Sequence, residues 1–258
     1  MTKRLLIFLF GLSAYVTFLF TVLYGIGFVG NIYFRKTIDS TPIANPSFSF
    51  VIDLALIALF GIQHSLMARQ VFKKRLTRLI PEPAERSLFV FCASLCLLLL
   101  FWQWHPIEGY LWIWPGNPIL PMILYGIGWF IVILSTFLIN HFDFTGLRQV
   151  YLYLIRRAYT PLEFKQDRLY TIVRHPMMLG LLISFWVTPQ MSLGHLTFAT
   201  GMTIYILVGL AFEERDLLKS FGNTYQQYRK QVPMLIPLLR RKRGTASLDA
   251  MPSSTTRK

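Results

Sequence analysis

Two residues able to bind an anion, Arg174 and His175, stand just before Pro176, where a charged segment meets an apolar one. Proline is favoured in the first turn of a helix, because its missing N–H would have no partner there, so Pro176 predicts a helix start. The mouth of such a helix offers unpaired N–H groups and the positive end of the helix dipole, which favour a carboxylate or phosphate. The alternative is that Arg174 and His175 only anchor the helix at the lipid head groups.

Further polar side chains stand near the ends of apolar segments. Ionisable groups are costly in the apolar layer and usually face a bundle interior or a polar cavity, so convergence on one side predicts a shared site. For His64 the alternative is a packing histidine, satisfied by Gln63 or Ser65. For the two glutamates it is a helix that ends in water, although a carboxylate opposes the dipole there. The positions are His64, Asn140, His141, Asp143, Glu213 and Glu214.

The composition is that of a membrane protein. The chain has 258 residues, of which 54% are hydrophobic and 15% charged, and its mean hydropathy is +0.48. About 20 apolar residues suffice to cross a bilayer, and several runs reach that length. We therefore predict an all-α, polytopic transmembrane helical bundle with spans near residues 5–33, 48–66, 87–104, 119–139, 177–187 and 195–212. The fifth is short: it either extends to Leu193 or forms half of a tight hairpin, so five and six crossings are both possible.

The basic residues indicate how the chain is oriented. In a six-span arrangement 24 of the 26 Lys and Arg residues fall on one side of the membrane. Basic residues favour the cytoplasmic side, so we predict that both termini are cytoplasmic. The expected location is a bacterial inner membrane. Although the net charge is +14, these residues flank spans, so anionic lipid is the expected partner rather than nucleic acid. We divide the chain into N-terminal helices (1–118), a core (119–238) and a basic, disordered tail (239–258). The oligomeric state stays open.

Two segments outside the spans complete the pattern. Residues 144–160 mix large apolar side chains with arginines and predict an interfacial helix or lid. A helix over about 224–231, ended by Pro233, would place Tyr225 and Tyr228 on one face because they are three residues apart.

These elements, in this order, resemble the C-terminal signature of the isoprenylcysteine carboxyl methyltransferase and phospholipid methyltransferase superfamily, over about residues 119–238. Segments 63–69 and 140–149 resemble its nurim-like branch. The sequence departs from the wider superfamily at Met178, where tyrosine is frequent. The matching elements are Tyr170-x-x-x-Arg174-His175-Pro176-x-x-x-Gly180, Glu213-Glu214-x-x-Leu217, Phe221-Gly222-x-x-Tyr225-x-x-Tyr228 and Val232-Pro233-x-x-Ile236-Pro237.

The resemblance implies a methyltransferase that uses S-adenosylmethionine, bound on the cytoplasmic side by the last two spans and the loop after them. Arg174, His175 and the helix mouth suit the cofactor's carboxylate, and Glu213 or Glu214 its ammonium or ribose. The rings of Tyr225 and Tyr228 could line the adenine. No metal is required. The residues implied to bind the cofactor are Tyr170, Arg174, His175, Pro176, Gly180, Glu213, Glu214, Tyr225 and Tyr228.

For the acceptor, the resemblance implies a small thiol, above all methanethiol, which would become the volatile dimethyl sulfide. A thiol is more nucleophilic as thiolate, so a base or a positive charge should lie near it. The candidates are His64, His141 oriented by Asp143, and Arg148 as an electrostatic alternative. Two other functions stay open: methylation of a prenylcysteine or phospholipid, and a non-enzymatic nurim-like membrane protein.

Overall fold

Long apolar helices dominate the structure, a computed structural model that describes residues 1–42, 44–162 and 168–237. The predicted tail, 239–258, lies outside these residues. Short 3-10 turns occupy Glu82–Ala84 and Arg168–Thr171, and the strands are β1 (Tyr110–Ile113) and β2 (Gln190–Ser192). The helices are α1 (Thr2–Val29), α2 (Pro46–Ala68), α3 (Gln70–Leu76), α4 (Glu85–Gln103), α5 (Ile119–Ile139), α6 (His141–Phe144), α7 (Leu147–Leu154), α8 (Pro176–Trp186) and α9 (Leu193–Gln231).

Five helical segments in the described part of the chain are long and apolar enough to cross a membrane. They are α1, α2, α5, α9 and the segment Glu82–Gln103, which contains α4. The predicted all-α, polytopic bundle is therefore confirmed. The small antiparallel ladder in which β1 pairs with β2 was not predicted.

The fifth predicted span is only partly helical. Helix α8 has 11 residues and is about 16 Å long, roughly half the thickness of the hydrocarbon layer. The chain then continues through residues 187–192, largely extended, to β2 and the start of α9, where Leu193 N donates to Gly109 O at 2.9 Å. Because Glu214 of α9 returns to the start of α8, the stretch between Arg174 and Leu193 runs from one end of the bundle to the other.

An aromatic core joins the N-terminal helices to the later ones. Phe28 of α1 packs edge-on against Trp104 and Phe198, with ring centroids 6.2 and 6.4 Å away. Tyr125 of α5 belongs to the same buried cluster. The core is therefore continuous across residue 118, where we predicted a boundary between two parts of the chain.

The polar residues predicted to share one side do lie at one end of the bundle. There Arg4 of α1 donates to Tyr153 O, and Arg86 of α4 donates to Phe144 O, each at 2.9 Å. The guanidinium of Arg69, just after α2, lies 3.9 Å from the ring centroid of Phe212 on α9. The first two contacts bring the starts of α1 and α4 next to α7 and α6, which supply the predicted interfacial segment, and the third joins the end of α2 to α9.

Candidate functional site

The start of α8 is built as predicted. Pro176 occupies the first turn, and no side chain caps the helix. The backbone N–H groups of Arg174 and His175 donate to Pro233 O at 2.9 Å and to Met234 O at 3.2 Å. The segment after α9 therefore runs alongside the mouth of α8 and holds it in place.

A buried carboxylate, Glu214, organises the residues around this mouth. Its Oε1 accepts hydrogen bonds from Arg174 Nε at 2.7 Å, His175 Nε2 at 3.1 Å and Tyr225 OH at 2.9 Å. Its Oε2 lies 3.2 Å from Arg229 Nε. A carboxylate with 6% exposure is stable only if it is well paired, and this one is.

The pairing of Glu214 with Tyr225 depends on a break in α9. Gly222 has φ 51° and ψ −125°, which interrupts the helix after Phe221. A positive φ is readily adopted only by glycine. The turn directs the last part of α9 back towards α8, where Tyr228 OH donates to Tyr170 O at 2.7 Å.

Arg174 is fixed on one side and has a spare donor on the other. Its Nη1 donates to Arg229 O at 3.0 Å and to Val232 O at 2.7 Å, while its Nε is taken by Glu214. Within the described ranges Nη2 has no hydrogen-bond partner. The guanidinium can therefore bind an additional anion without leaving its present contacts.

The mouth of α8 opens into a cavity of about 320 Å³, which we call the first cavity. Seven of the nine residues that the resemblance implied for cofactor binding line it, and most of the remaining wall is apolar. The lining residues are Ile139, Leu162, Tyr170, Arg174, His175, Pro176, Met177, Met178, Glu213, Leu217, Phe221, Tyr225 and Tyr228.

The two adjacent glutamates have different environments. Glu213 lines the first cavity, its side chain is 51% exposed, and its Oε2 lies 3.7 Å from His175 Nδ1. Glu214 points behind the cavity wall into the buried pairs described above. Of the two, only Glu213 has a carboxylate that faces the cavity.

Gly180 is also placed differently from the prediction. It is not among the residues that line the first cavity, and it faces α5. A Cβ atom at this position would lie 2.6 Å from Gly128 O and 3.0 Å from Val132 N. Gly180 therefore permits the close approach of α8 to α5, which is how small residues act between membrane helices.

His64, a candidate base, lies away from the first cavity. Its Nδ1 is 2.6 Å from the hydroxyl of Tyr205, and its ring packs on Phe60 and Phe89 with centroids 5.5 and 4.8 Å away. It is not a lining residue. The alternative of a hydrogen-bonded packing histidine describes these contacts, although the partner is Tyr205 rather than Gln63 or Ser65.

The prediction that Asp143 orients His141 is wrong. The ring nitrogens of His141 are 3.1 Å from Tyr15 OH and 2.9 Å from Thr136 Oγ1, and burial lowers the pKa of the ring. Asp143 instead accepts from Arg148 Nη1 at 2.5 Å, and from Gln149 and Tyr159. The two side chains do not meet because His141 and Asp143 are two residues apart on the short helix α6, and side chains at that spacing point to different sides.

The apolar part of the cavity wall was missed from the sequence. Leu217 and Phe221 follow Glu213 at intervals of four residues, which places all three on one face of α9 and could have revealed them. Met177 and Met178 adjoin the predicted Pro176. Ile139 and Leu162 lie in separate segments, and no sequence pattern connects them to the site.

Fold and cavity together define an integral membrane protein whose ligand cavity lies at one end of a helical bundle. Its walls place an arginine, a histidine and a carboxylate opposite an apolar surface. This is the class of protein to which the chain belongs.

Known proteins are similar to it over most of its length. A methanethiol S-methyltransferase from Crocosphaera subtropica is 48% identical, over 93% of this chain and 95% of that relative. One from Mycobacterium tuberculosis is 46% identical, over 91% and 97%. A nurim from Sus scrofa is 30% identical over 64% of this chain and 66% of its own. No protein-family model and no solved structure matches the chain. The chain belongs to the methanethiol S-methyltransferase family.

Proposed function

We propose that this protein transfers a methyl group from S-adenosylmethionine to methanethiol and so produces dimethyl sulfide. The observation that carries the proposal is the first cavity, where Arg174, His175 and Glu213 face an apolar wall. The family relationship supports the reaction, since relatives 46–48% identical are named for it.

The residues of the first cavity fit the cofactor group by group. The spare Nη2 of Arg174 and the uncapped start of α8 suit a carboxylate. Glu213 suits an ammonium or a ribose hydroxyl. The rings of Tyr225 and Tyr228, with centroids 5.9 Å apart, suit a flat purine. The cofactor would supply an electrophilic methyl group on a cationic sulfonium.

The acceptor would meet the apolar side of the cavity. Side chains such as Met178, Leu217 and Phe221 make this side apolar, and a thiolate and a cation attract each other more strongly at low dielectric. His175 is held between the carboxylates of Glu213 and Glu214, so both of its ring nitrogens face carboxylate oxygens. We therefore propose that methanethiol gives its proton to the solvent and enters this cavity as the thiolate, without a histidine base.

A small acceptor is favoured over a lipid or prenyl chain. A volume of about 320 Å³ lies at the low end for ligand pockets, which are roughly 300–1,000 Å³. An apolar groove of about 450 Å³ does exist between α1 and α4, where Phe20, Leu95 and Trp102 contribute. It shares no lining residue with the first cavity among the residues described.

For orientation, we propose that both termini and the first cavity face the cytoplasm of a bacterial cell, with the protein in the inner membrane. The distribution of Lys and Arg supports this arrangement, and the cofactor is made in the cytoplasm. The residues that line the cavity all lie between 139 and 228, which supports the proposed core of residues 119–238.

The function can be tested with purified protein in lipid nanodiscs and methyl-labelled S-adenosylmethionine. We expect label in dimethyl sulfide when methanethiol is the acceptor, and none in a prenylcysteine or in the phospholipid. Label in either of those products would show that the prenylcysteine or the phospholipid, and not methanethiol, is the acceptor. If the protein binds the cofactor but transfers label to no acceptor, the alternative of a non-enzymatic, nurim-like protein would be favoured.

A second prediction concerns the histidines. His64→Gln and His141→Gln should each lower the rate at saturating cofactor by less than about tenfold, because neither side chain reaches the first cavity. A general base typically contributes about 10² to 10⁴ in rate. The measurement is the rate of methanethiol methylation against pH. A loss of about 10² or more that high pH restores would identify that histidine as the base after all.

A further inference from the structure

A short segment after α7, residues 159–162, lies between two cavities, and we call it the strap. Leu162, at its end, lines the first cavity. Tyr159, at its start, lines a second and more polar cavity of about 720 Å³. Ile139, the last residue of α5, lines both. The strap therefore forms part of the wall that separates the proposed reaction chamber from its polar neighbour.

Side chains of α6 and α7 hold the strap from one side. Arg148 donates from Nη1 to Thr160 O at 3.0 Å and from Nη2 to Thr160 Oγ1 at 2.7 Å. The same Nη1 donates to Asp143 Oδ2 at 2.5 Å, and Tyr159 OH donates to Asp143 Oδ1 at 3.1 Å. Among described residues these are the hydrogen bonds that fix the strap, and we call this set of bonds the clasp.

The clasp has a rigid base. Asp143 is buried, and its backbone N–H donates to Asn140 Oδ1 at 3.1 Å, which caps the start of α6. Gln149 Nε2 donates to both the carboxylate and the backbone oxygen of Asp143, each at 3.1 Å. Since α6 follows α5 directly, the clasp ties the strap to the end of α5, where Ile139 lines the first cavity.

We propose that Asp143, Arg148 and Tyr159 are positioning residues, which hold the strap so that Leu162 closes the apolar side of the first cavity. This inference rests on the proposed function. It gives Asp143 and Arg148 a role different from thiol activation, because Arg148 is already paired with Asp143 and hydrogen-bonded to Thr160. A loosened strap admits water, which screens the attraction between thiolate and sulfonium and weakens binding of the cofactor.

The test uses Arg148→Ala, Arg148→Lys and Tyr159→Phe, in the full-length protein. Arg4→Ala is the matched control, since Arg4 also binds α7, through Tyr153 O at 2.9 Å, but does not contact the strap. Hydrogen exchange of the amides of Tyr159, Thr160 and Leu162 is followed without ligand. We expect exchange to accelerate about tenfold or more in Arg148→Ala, since a charge-assisted hydrogen bond is lost, and less in Tyr159→Phe. Arg148→Lys should restore it only in part, because an ammonium cannot form the two-pronged contact with Thr160.

Binding and kinetics then separate positioning from electrostatic activation. With S-adenosylmethionine as the probe, Arg148→Ala should raise the calorimetric Kd and the KM for cofactor, and its remaining rate loss should persist at high pH. Unchanged strap exchange, together with a rate loss that high pH rescues, would overturn the proposal and make Arg148 a thiolate-stabilising residue. If wild-type protein binds no cofactor, the proposed function fails, whereas the exchange comparison still decides whether the clasp holds the strap.

Discussion

Glu214→Ala is expected to destabilise the folded protein by about 3 to 5 kcal/mol. The substitution leaves the buried guanidinium of Arg174 without its charge partner, and removing one partner of a buried ion pair typically costs that much. It also removes the acceptor for His175 and Tyr225. Chemical unfolding in a fixed detergent would measure the loss. Because Glu213 is half exposed, Glu213→Ala is the matched control and should stay close to wild type.

For cofactor binding we expect the opposite order: substitution of Glu213 should weaken binding more than substitution of Glu214. Glu213→Gln keeps the shape of the side chain and removes the charge that faces the first cavity. We expect a Kd for S-adenosylmethionine about 10- to 150-fold higher, as for a lost charge-assisted contact. Full affinity in Glu213→Gln, with wild-type stability in Glu214→Ala, would contradict both assignments.

The adjacent glutamates also show where sequence reasoning ends. Neighbouring residues on a helix point about 100° apart, so only one of Glu213 and Glu214 can face a given cavity. The sequence does not fix which face of α9 turns inward. That is decided by the partners of Glu214, which come from a helix about 40 residues earlier and from beyond the break at Gly222.

The local structure within the motif was predictable because each part of it depends on residues close in the chain. Pro176 begins a helix for local reasons, and Tyr225 and Tyr228 share a helical face. The path after α8 had a weaker local signal. Pro189 disfavours a continued helix, but the extended form of residues 190–192 depends on pairing with β1, far away in sequence.

The candidates for thiol activation lie outside the lining of the first cavity for a related reason. His64 and Asp143 were selected as ionisable groups near span ends, and they do lie at the expected end of the bundle. Each forms a hydrogen bond with a partner that no sequence pattern predicts: Tyr205 for His64, and the strap residue Tyr159 for Asp143. Depth in the membrane can be read from hydropathy, whereas the direction of a side chain around its helix depends on long-range packing.

Arg174→Lys is expected to weaken S-adenosylmethionine binding by about 10- to 150-fold while the protein stays folded. Lysine preserves the charge beside Glu214, so the buried pair is not broken. A single ammonium cannot, however, reach Glu214 and the carbonyls of Arg229 and Val232 and also present a donor to the cavity. Isothermal calorimetry would give the Kd, and the unfolding midpoint would show that the fold persists.

A decarboxylated form of the cofactor makes this test specific. If the spare Nη2 of Arg174 binds the carboxylate, wild type should lose affinity for the decarboxylated form, and Arg174→Lys should lose little more. The two changes would then be strongly coupled, as expected for groups in direct contact. Equal weakening by the substitution with both forms of the cofactor would show that Arg174 acts only by holding Glu214 and the chain after α9. In that case the anion site at the mouth of α8 would be formed by the helix terminus and His175 alone.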